Sequence, residues 1–318
     1  MISRRATLKS LLACTVVPYG ASLTRALAAA PMLQPTGVGY SLYKFGWKPD
    51  LPIRLNLYRF DFSLSLATAP PPSVDLRPEM PDVYDQHDIG ACTSNAVAAC
   101  IQFVRRKNHL PNDFVPSRLF IYYFGRQIEQ SIDTDGGLAI SDAITVIENK
   151  GVPSEADWPY DGTAPDEHNK FQPTSRAIAP PRQAILNEAG LHRTTSAFSL
   201  DQDLGQMKAC LALGYPFVFG FTIYKSFFDN NATPPLPLKT IPMPPDADQP
   251  VGGHAVVAVG YKDDQTALGG GYLICRNSWG LKDIADRPMQ DGGHFYMPYA
   301  YALDRDLSSA FWTIRVSS

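Results

Sequence analysis

The chain has 318 residues, 45% of them hydrophobic and 19% charged, with a formal net charge of −3. This is an ordinary globular composition, long enough for one large core or two small ones, and it shows no repeat or low-complexity array. The mildly acidic balance disfavours a nucleic-acid role.

In chain order, Ser3-Arg4-Arg5-Ala6-Thr7-Leu8-Lys9, an apolar stretch from Leu11 to Val17, and small residues at Ala26-Leu27-Ala28-Ala29-Ala30 look like a twin-arginine export signal spanning residues 1–28. The apolar stretch is too short to span a bilayer. That segment carries Arg4, Arg5, Lys9 and Arg25 and no acid, so against the overall −3 the remainder of the chain carries −7. Residues 29–72 read as irregular, with Gly37, Gly39 and Gly46 and then the run Pro70-Pro71-Pro72. They form either an arm that packs Tyr43, Phe45 and Trp47 onto the body or a short removable pro-segment.

The stretch from Tyr84 to Ala96 delivers Cys92 to the first turn of a helix. The residues after it, Ala96 to Val104, are apolar on most faces, and Arg105-Arg106-Lys107 suit a helix C-terminus. Unpaired N–H groups and the positive end of the helix dipole favour an anion there, so a thiol at this spot is expected to ionise readily. Helices are expected over Pro116–Tyr123 and Ala139–Ile147, the second stopped by Gly151. Asp133-Thr134-Asp135-Gly136-Gly137 begins like a calcium loop, but Ile144 stands where the bidentate acid belongs, and no metal site is expected. A further helix is expected over Leu200–Leu213, then strands over Pro216–Tyr224, Ala255–Tyr261, Tyr272–Arg276, His294–Tyr299 and Phe311–Val316. Seven prolines between residues 234 and 250 mark an insertion that is neither helix nor central strand.

A thiolate nucleophile needs a base and a group that orients the base. His254 opens one glycine-bounded apolar run and Asn277 closes the next, and antiparallel pairing of those runs would join the two. With Gln86 six residues before Cys92, and Trp279 two after Asn277, the sequence resembles the papain-like cysteine peptidases over most of Ser73–Ser318. The resemblance implies an α+β, two-domain fold. A helical left domain (about 73–178) and a β-rich right domain (about 179–318) would hold the active-site cleft between them. It implies that Cys92 is the nucleophile, His254 the base, Asn277 the residue that fixes the imidazole, and Gln86 an oxyanion donor beside the Cys92 N–H. Gly136 and Gly137 would line the left wall of the cleft, Gly252 and Gly253 the wall of an open subsite, and Trp279 would shield the His–Asn bond. Asp157-Trp158-Pro159-Tyr160 resembles a packing motif of the family.

The chain departs from the family signature: Ile89 stands where a disulfide cysteine would be, and Thr93 replaces an aromatic. His254 and Asn277 lie 162 and 185 residues after Cys92, a longer spacing that the proline-rich insertion accounts for, and a divergent bacterial branch is implied. Cys92, Cys100, Cys210 and Cys275 are expected to be thiols. The expected activity is peptide hydrolysis through a thioester, without cofactor, by an exported monomer acting in the periplasm or outside the cell on peptide or protein substrates. A catalytically silent binding homologue, acyl transfer to an amine, and exopeptidase cleavage are the alternatives.

Overall fold

The computed structural model describes residues 44–50, 69–231, 236–283 and 286–317. The expected export signal, most of residues 29–72 and part of the proline-rich insertion lie outside them. Among the described residues no helix is long and apolar enough to cross a membrane.

The left half is helical. Helix α1, Cys92–Lys107, has no acid in its first turn, three cations in its last, and buried side chains from Cys92 through Arg105. It is therefore a core helix, apolar around most of its circumference, and it packs on α2 and α3 on one side and on the sheet on the other. Helix α2, Arg118–Ile128, begins two residues later than Pro116 because Ser117 takes the capping position, its hydroxyl accepting from the Phe120 N–H. Helix α3, Ile140–Asn149, follows a short extended segment, Leu138–Ala139, and stops before Gly151, whose φ is 76°.

The right half is a seven-stranded, largely antiparallel sheet. Strands Phe217–Tyr224, Pro250–Asp263, Gly271–Arg276, His294–Pro298 and Ser308–Ser317 correspond to the five apolar runs of the sequence, and Thr194–Ser199 and Ser73–Asp75 join them at the edges. In chain order the strands are β1 (Trp47–Lys48), β2 (Ser73–Asp75), β3 (Leu138–Ala139), β4 (Thr194–Ser199) and β5 (Phe217–Tyr224). There follow β6 (Phe228–Asp229), β7 (Leu236–Pro237), β8 (Pro250–Asp263), β9 (Gly271–Arg276), β10 (His294–Pro298) and β11 (Ser308–Ser317). The order across the sheet is β10-β9-β8-β5-β11-β4, with β2 on β8. The fold is thus α+β, with helices on the left, strands on the right, and the start of α1 between them.

Several boundaries differ from the sequence expectation. His254 does not open a strand: β8 begins at Pro250, because Gly252 and Gly253 continue the pairing with β5 opposite Ile223 and Thr222. Helix α5, Leu204–Ala212, starts four residues after Leu200, where the Asp203 carboxylate caps it by accepting from the Gln206 N–H. Helices at Gln183–Gly190 and Tyr299–Leu303 and strand β4 lacked the length or periodicity to stand out. The described part of the proline-rich insertion lies along β10, where the Ile241 N–H donates to the Tyr296 carbonyl and the Tyr296 N–H to that of Lys239.

Candidate active site

Antiparallel pairing brings the predicted site residues together. Val257 on β8 sits opposite Arg276 on β9, so His254, three residues before, and Asn277, one after, meet at the same end of the pair. The His254 Nε2 lies 2.8 Å from Asn277 Oδ1. That oxygen also accepts from the Ser278 N–H at 2.7 Å, so it is an acceptor and the His254 Nε2 carries the hydrogen. The lone pair of the neutral ring is then on Nδ1, which has no hydrogen-bond partner among the described residues. Trp279 stacks on the imidazole with ring centres 4.6 Å apart, and Phe227 and Phe228 pack around the indole. The indole thus covers one face of the buried imidazole.

Cys92 stands at the first position of α1, wholly buried, and its sulfur accepts from the Ala255 N–H at 3.4 Å. Gln86 is held on three sides. Its Oε1 accepts from the Ser278 hydroxyl at 2.7 Å, its N–H donates to the Ser278 carbonyl, and its own carbonyl accepts from the Tyr160 hydroxyl at 2.9 Å. With Oε1 so occupied, Nε2 points its hydrogens to the Ile89 and Lys44 carbonyls at 3.0 and 3.1 Å. Ser278 is therefore the residue that orients the amide, a role visible in the sequence only as the middle of Asn277-Ser278-Trp279. The four cysteines among the described residues, Cys92, Cys100, Cys210 and Cys275, are free thiols, all buried.

Residues 44–50 lie in the cleft itself. The Lys44 carbonyl takes the Gln86 amide, and the Phe45 ring stands edge-on to His254 and Trp279 at 6.3 and 6.0 Å. The Gly46 carbonyl accepts from the Leu138 N–H at 2.6 Å, and β1 pairs in parallel with β3. Gly46 runs so close to the nucleophile loop that a Cβ there would fall 1.7 Å from the Gly90 carbonyl oxygen. Beyond it the Trp47 indole lies over Gly220, where a Cβ would stand 1.9 Å from ring carbon Cε2. Lys48 pairs with Glu129, and the Asp50 carboxylate accepts from the Ser141 N–H at 3.0 Å, an anion at the open N-terminus of α3.

Burial changes the electrostatics expected of the site. Cys92 is not an easily ionised thiol here: burial pushes it up to about 11, against the pull of the Ala255, Gly46 and Thr93 backbone amides. Burial also lowers His254 to about 4, against the pull of Asn277. Both shifts favour neutral partners, so the covered cleft holds a thiol and an imidazole rather than an ion pair.

Gly136, Gly137, Gly252 and Gly253 all stand against residues 45–48. The Gly137 N–H donates to the Tyr122 hydroxyl at 3.1 Å, and it is Leu138, the next residue, whose N–H meets the extended segment. Gly136 stands beside the Lys48 ammonium, where a Cβ would be 3.4 Å from it, at the edge of the cleft. A Cβ on Gly252 would fall 2.7 Å from the Phe45 ring, and one on Gly253 2.6 Å from the Trp47 carbonyl oxygen. Both glycines therefore line the wall, but the wall is covered by the arm, and Gly220, unmarked in the sequence, makes the closest approach to the indole.

A profile of the papain family cysteine proteases matches residues 70–286. An uncharacterized peptidase C1-like protein of Acanthamoeba polyphaga mimivirus is 36% identical over 248 residues, 75% of this chain and 71% of its own length. The crystal structure of xylellain, a cysteine protease from Xylella fastidiosa, superposes with a TM-score of 0.76 at 39% identity, covering 86% of this chain and 97% of that one. Procathepsin B of Trypanosoma congolense shares the fold at 17% identity, with a TM-score of 0.61 over 88% of each chain.

Proposed function

This chain belongs to the papain family of cysteine proteases, and from that premise we propose that it is a thiol endopeptidase held closed by its own residues 44–50. The observation that carries the catalytic reading is the 2.8 Å His254–Asn277 bond under the stacked Trp279, with the Cys92 sulfur bonded to the adjacent Ala255 amide. Cys92 Sγ attacks the peptide carbonyl carbon, and His254 Nδ1 takes the thiol proton. The oxyanion is received by the Cys92 N–H and by the Gln86 Nε2–H that the Lys44 carbonyl vacates when the arm leaves, with Ser278 holding the amide in place. The imidazolium, fixed by Asn277, gives its proton to the departing amine. Water then attacks the thioester with His254 as base, releasing the acid and restoring the thiol.

The Lys44 carbonyl on Gln86 Nε2 supports the arm as an intramolecular blocker, since it occupies the donor that the oxyanion needs. Retention of Gln86, Cys92, His254 and Asn277 together disfavours a silent binding homologue. The twin-arginine-like N-terminus supports export to the periplasm or beyond. The test is cleavage of an internally quenched peptide library by the full chain after acid incubation, beside Cys92→Ala. Loss of all cleavage in Cys92→Ala is expected, and equal cleavage by both proteins would refute the assignment.

A further inference from the structure

A second set of contacts joins the turn that carries Cys92 to the left wall of the cleft, and a single carboxylate stands at its centre. Asp135 is 4% exposed. Its Oδ1 and Oδ2 lie 2.9 and 2.8 Å from the Gly90 N–H, and Oδ1 also accepts from the Tyr122 hydroxyl at 2.5 Å. The Tyr122 oxygen in turn accepts from the Gly137 N–H. Asp135 is itself locked in place: its N–H donates to the Asn169 carbonyl at 2.9 Å, and its carbonyl accepts from the Asn169 side-chain amide at 2.8 Å. Three residues after Gly90 and one after Gly137, the Thr93 hydroxyl in the first turn of α1 donates to the Leu138 carbonyl at 2.7 Å.

Gly90 precedes Cys92 by two residues, and the carbonyl next to it, on Ile89, is one of the acceptors of the Gln86 amide. Gly137 precedes Leu138, whose N–H meets the extended segment in the cleft. The two connections therefore end on the two halves of the proposed machinery, the nucleophile with its oxyanion donor and the wall that holds the substrate backbone. A buried carboxylate is a costly way to satisfy one amide and one hydroxyl, which a neutral side chain could serve. What charge adds is a pair of stronger, shorter bonds with fixed geometry. The positions that set these bonds include Thr93, where the chain departs from the family signature, and they adjoin Ile89, where the disulfide cysteine is missing.

We propose that Asp135 is a positioning residue for acyl transfer, a polar staple that fixes the Gly90 amide, and with it Cys92 and Gln86, against a left wall that it orders through Tyr122. The inference rests on the peptidase reading of the site and adds a division of labour between two side chains. The Asp135–Gly90 bond sets the turn that carries out the chemistry, and the Tyr122–Gly137 bond sets the wall that binds.

The test compares full-length Asp135→Asn and Tyr122→Phe with the parent after the same acid incubation, each at a temperature well below its own unfolding midpoint. Loss of a bond to a charged group corresponds to a change of roughly 10- to 100-fold, so Asp135→Asn should lower kcat by about that factor per alkylatable site while KM changes little. Tyr122→Phe keeps its ring against the Arg126 guanidinium, 4.2 Å from the ring centre, so it should fold and raise KM more than it lowers kcat. Asp135→Glu should recover little, because a longer stem cannot place the carboxylate on the same two donors. Amide exchange at Gly90, read by NMR, should accelerate in Asp135→Asn and not in Tyr122→Phe. Unchanged kcat in Asp135→Asn, or equal proportional losses in both variants that track a fall in folded protein, overturns the proposal. If the parent cleaves nothing, the peptidase reading has failed, and Gly90 exchange still decides whether the staple exists. If Asp135→Asn does not fold, a Tyr122→Phe variant with unchanged KM overturns the division of labour.

Discussion

Replacing Trp47 by alanine removes the one buried apolar side chain of residues 44–50. The indole is 6% exposed and lies over Gly220 and Gly253 with no room for a side chain at either. Truncating a buried tryptophan costs about 3–5 kcal/mol. The arm and substrate compete for one groove, so the loss falls on the arm-docked state. Even its lower end corresponds to a roughly 10²-fold change in the ratio of open to covered cleft, at 1.4 kcal/mol per tenfold. Lys48–Glu129 is partly exposed and contributes little that could compensate, since such pairs are worth about 0–1 kcal/mol. The assay is the rate at which iodoacetamide alkylates Cys92 in the full chain at neutral pH, with the modified cysteine identified by mass mapping. Trp47→Ala should react at least tenfold faster than the parent, at Cys92 and not at Cys100, Cys210 or Cys275, which stay buried in the core. Equal rates would show that the arm does not control access, and labelling spread over the other thiols would show loosening of the core instead.

Further expectations concern pH, the oxyanion donor and the pocket. Burial lowers His254 from its ordinary 6.5 to about 4 in the covered cleft, and opening that admits water to the ring raises it again, so as pH falls toward 4 the open form takes up the proton first and the covered form loses stability. Alkylation of Cys92 after brief incubation at pH 4.5 should therefore exceed that after incubation at pH 7.5, and the opposite order would contradict the sign. Gln86→Ala should lower kcat by about 10²–10³-fold. Ser278→Ala, which frees the amide without removing it, should lower kcat by less in the same peptide-cleavage assay. Gly220→Val should mimic Trp47→Ala in exposing Cys92, and the double variant should react no faster than the single ones, because both changes remove the same contact.

The residues that pair chemistry with a strong local signal were legible in the sequence. Cys92 was placed by a loop running into an apolar helix, and His254 and Asn277 by two strands whose antiparallel pairing brings their ends together. Gln86 and Trp279 stand out only through the family resemblance; in the structure Gln86 is held by Ser278 and Trp279 stacks on His254. What escaped depends on contacts between segments distant in sequence. Gly220 lies in the apolar run Phe217–Tyr224, and nothing in that run reveals that an indole from residue 47 crosses it. Asp135 resembled the start of a metal loop, and only the fold turns its carboxylate toward Gly90. The Cys92 thiol also depends on such contacts: the helix terminus favours a thiolate, whereas burial of the sulfur favours the neutral thiol. Gly252 and Gly253 were read as bounding a strand, whereas the pairing with β5 runs through them.

Acyl transfer through Cys92 requires the carbonyl carbon of the substrate to become bonded to its sulfur. Full-length Trp47→Ala, incubated with the nitrophenyl ester of a blocked amino acid and quenched in acid, provides the most direct measurement. Peptide mapping should find one acyl group, on the peptide that contains Cys92, removable by hydroxylamine as a thioester is, and none when Cys92→Ala is added. An acyl group on any other residue, or undiminished labelling of the Cys92→Ala protein, would contradict the account.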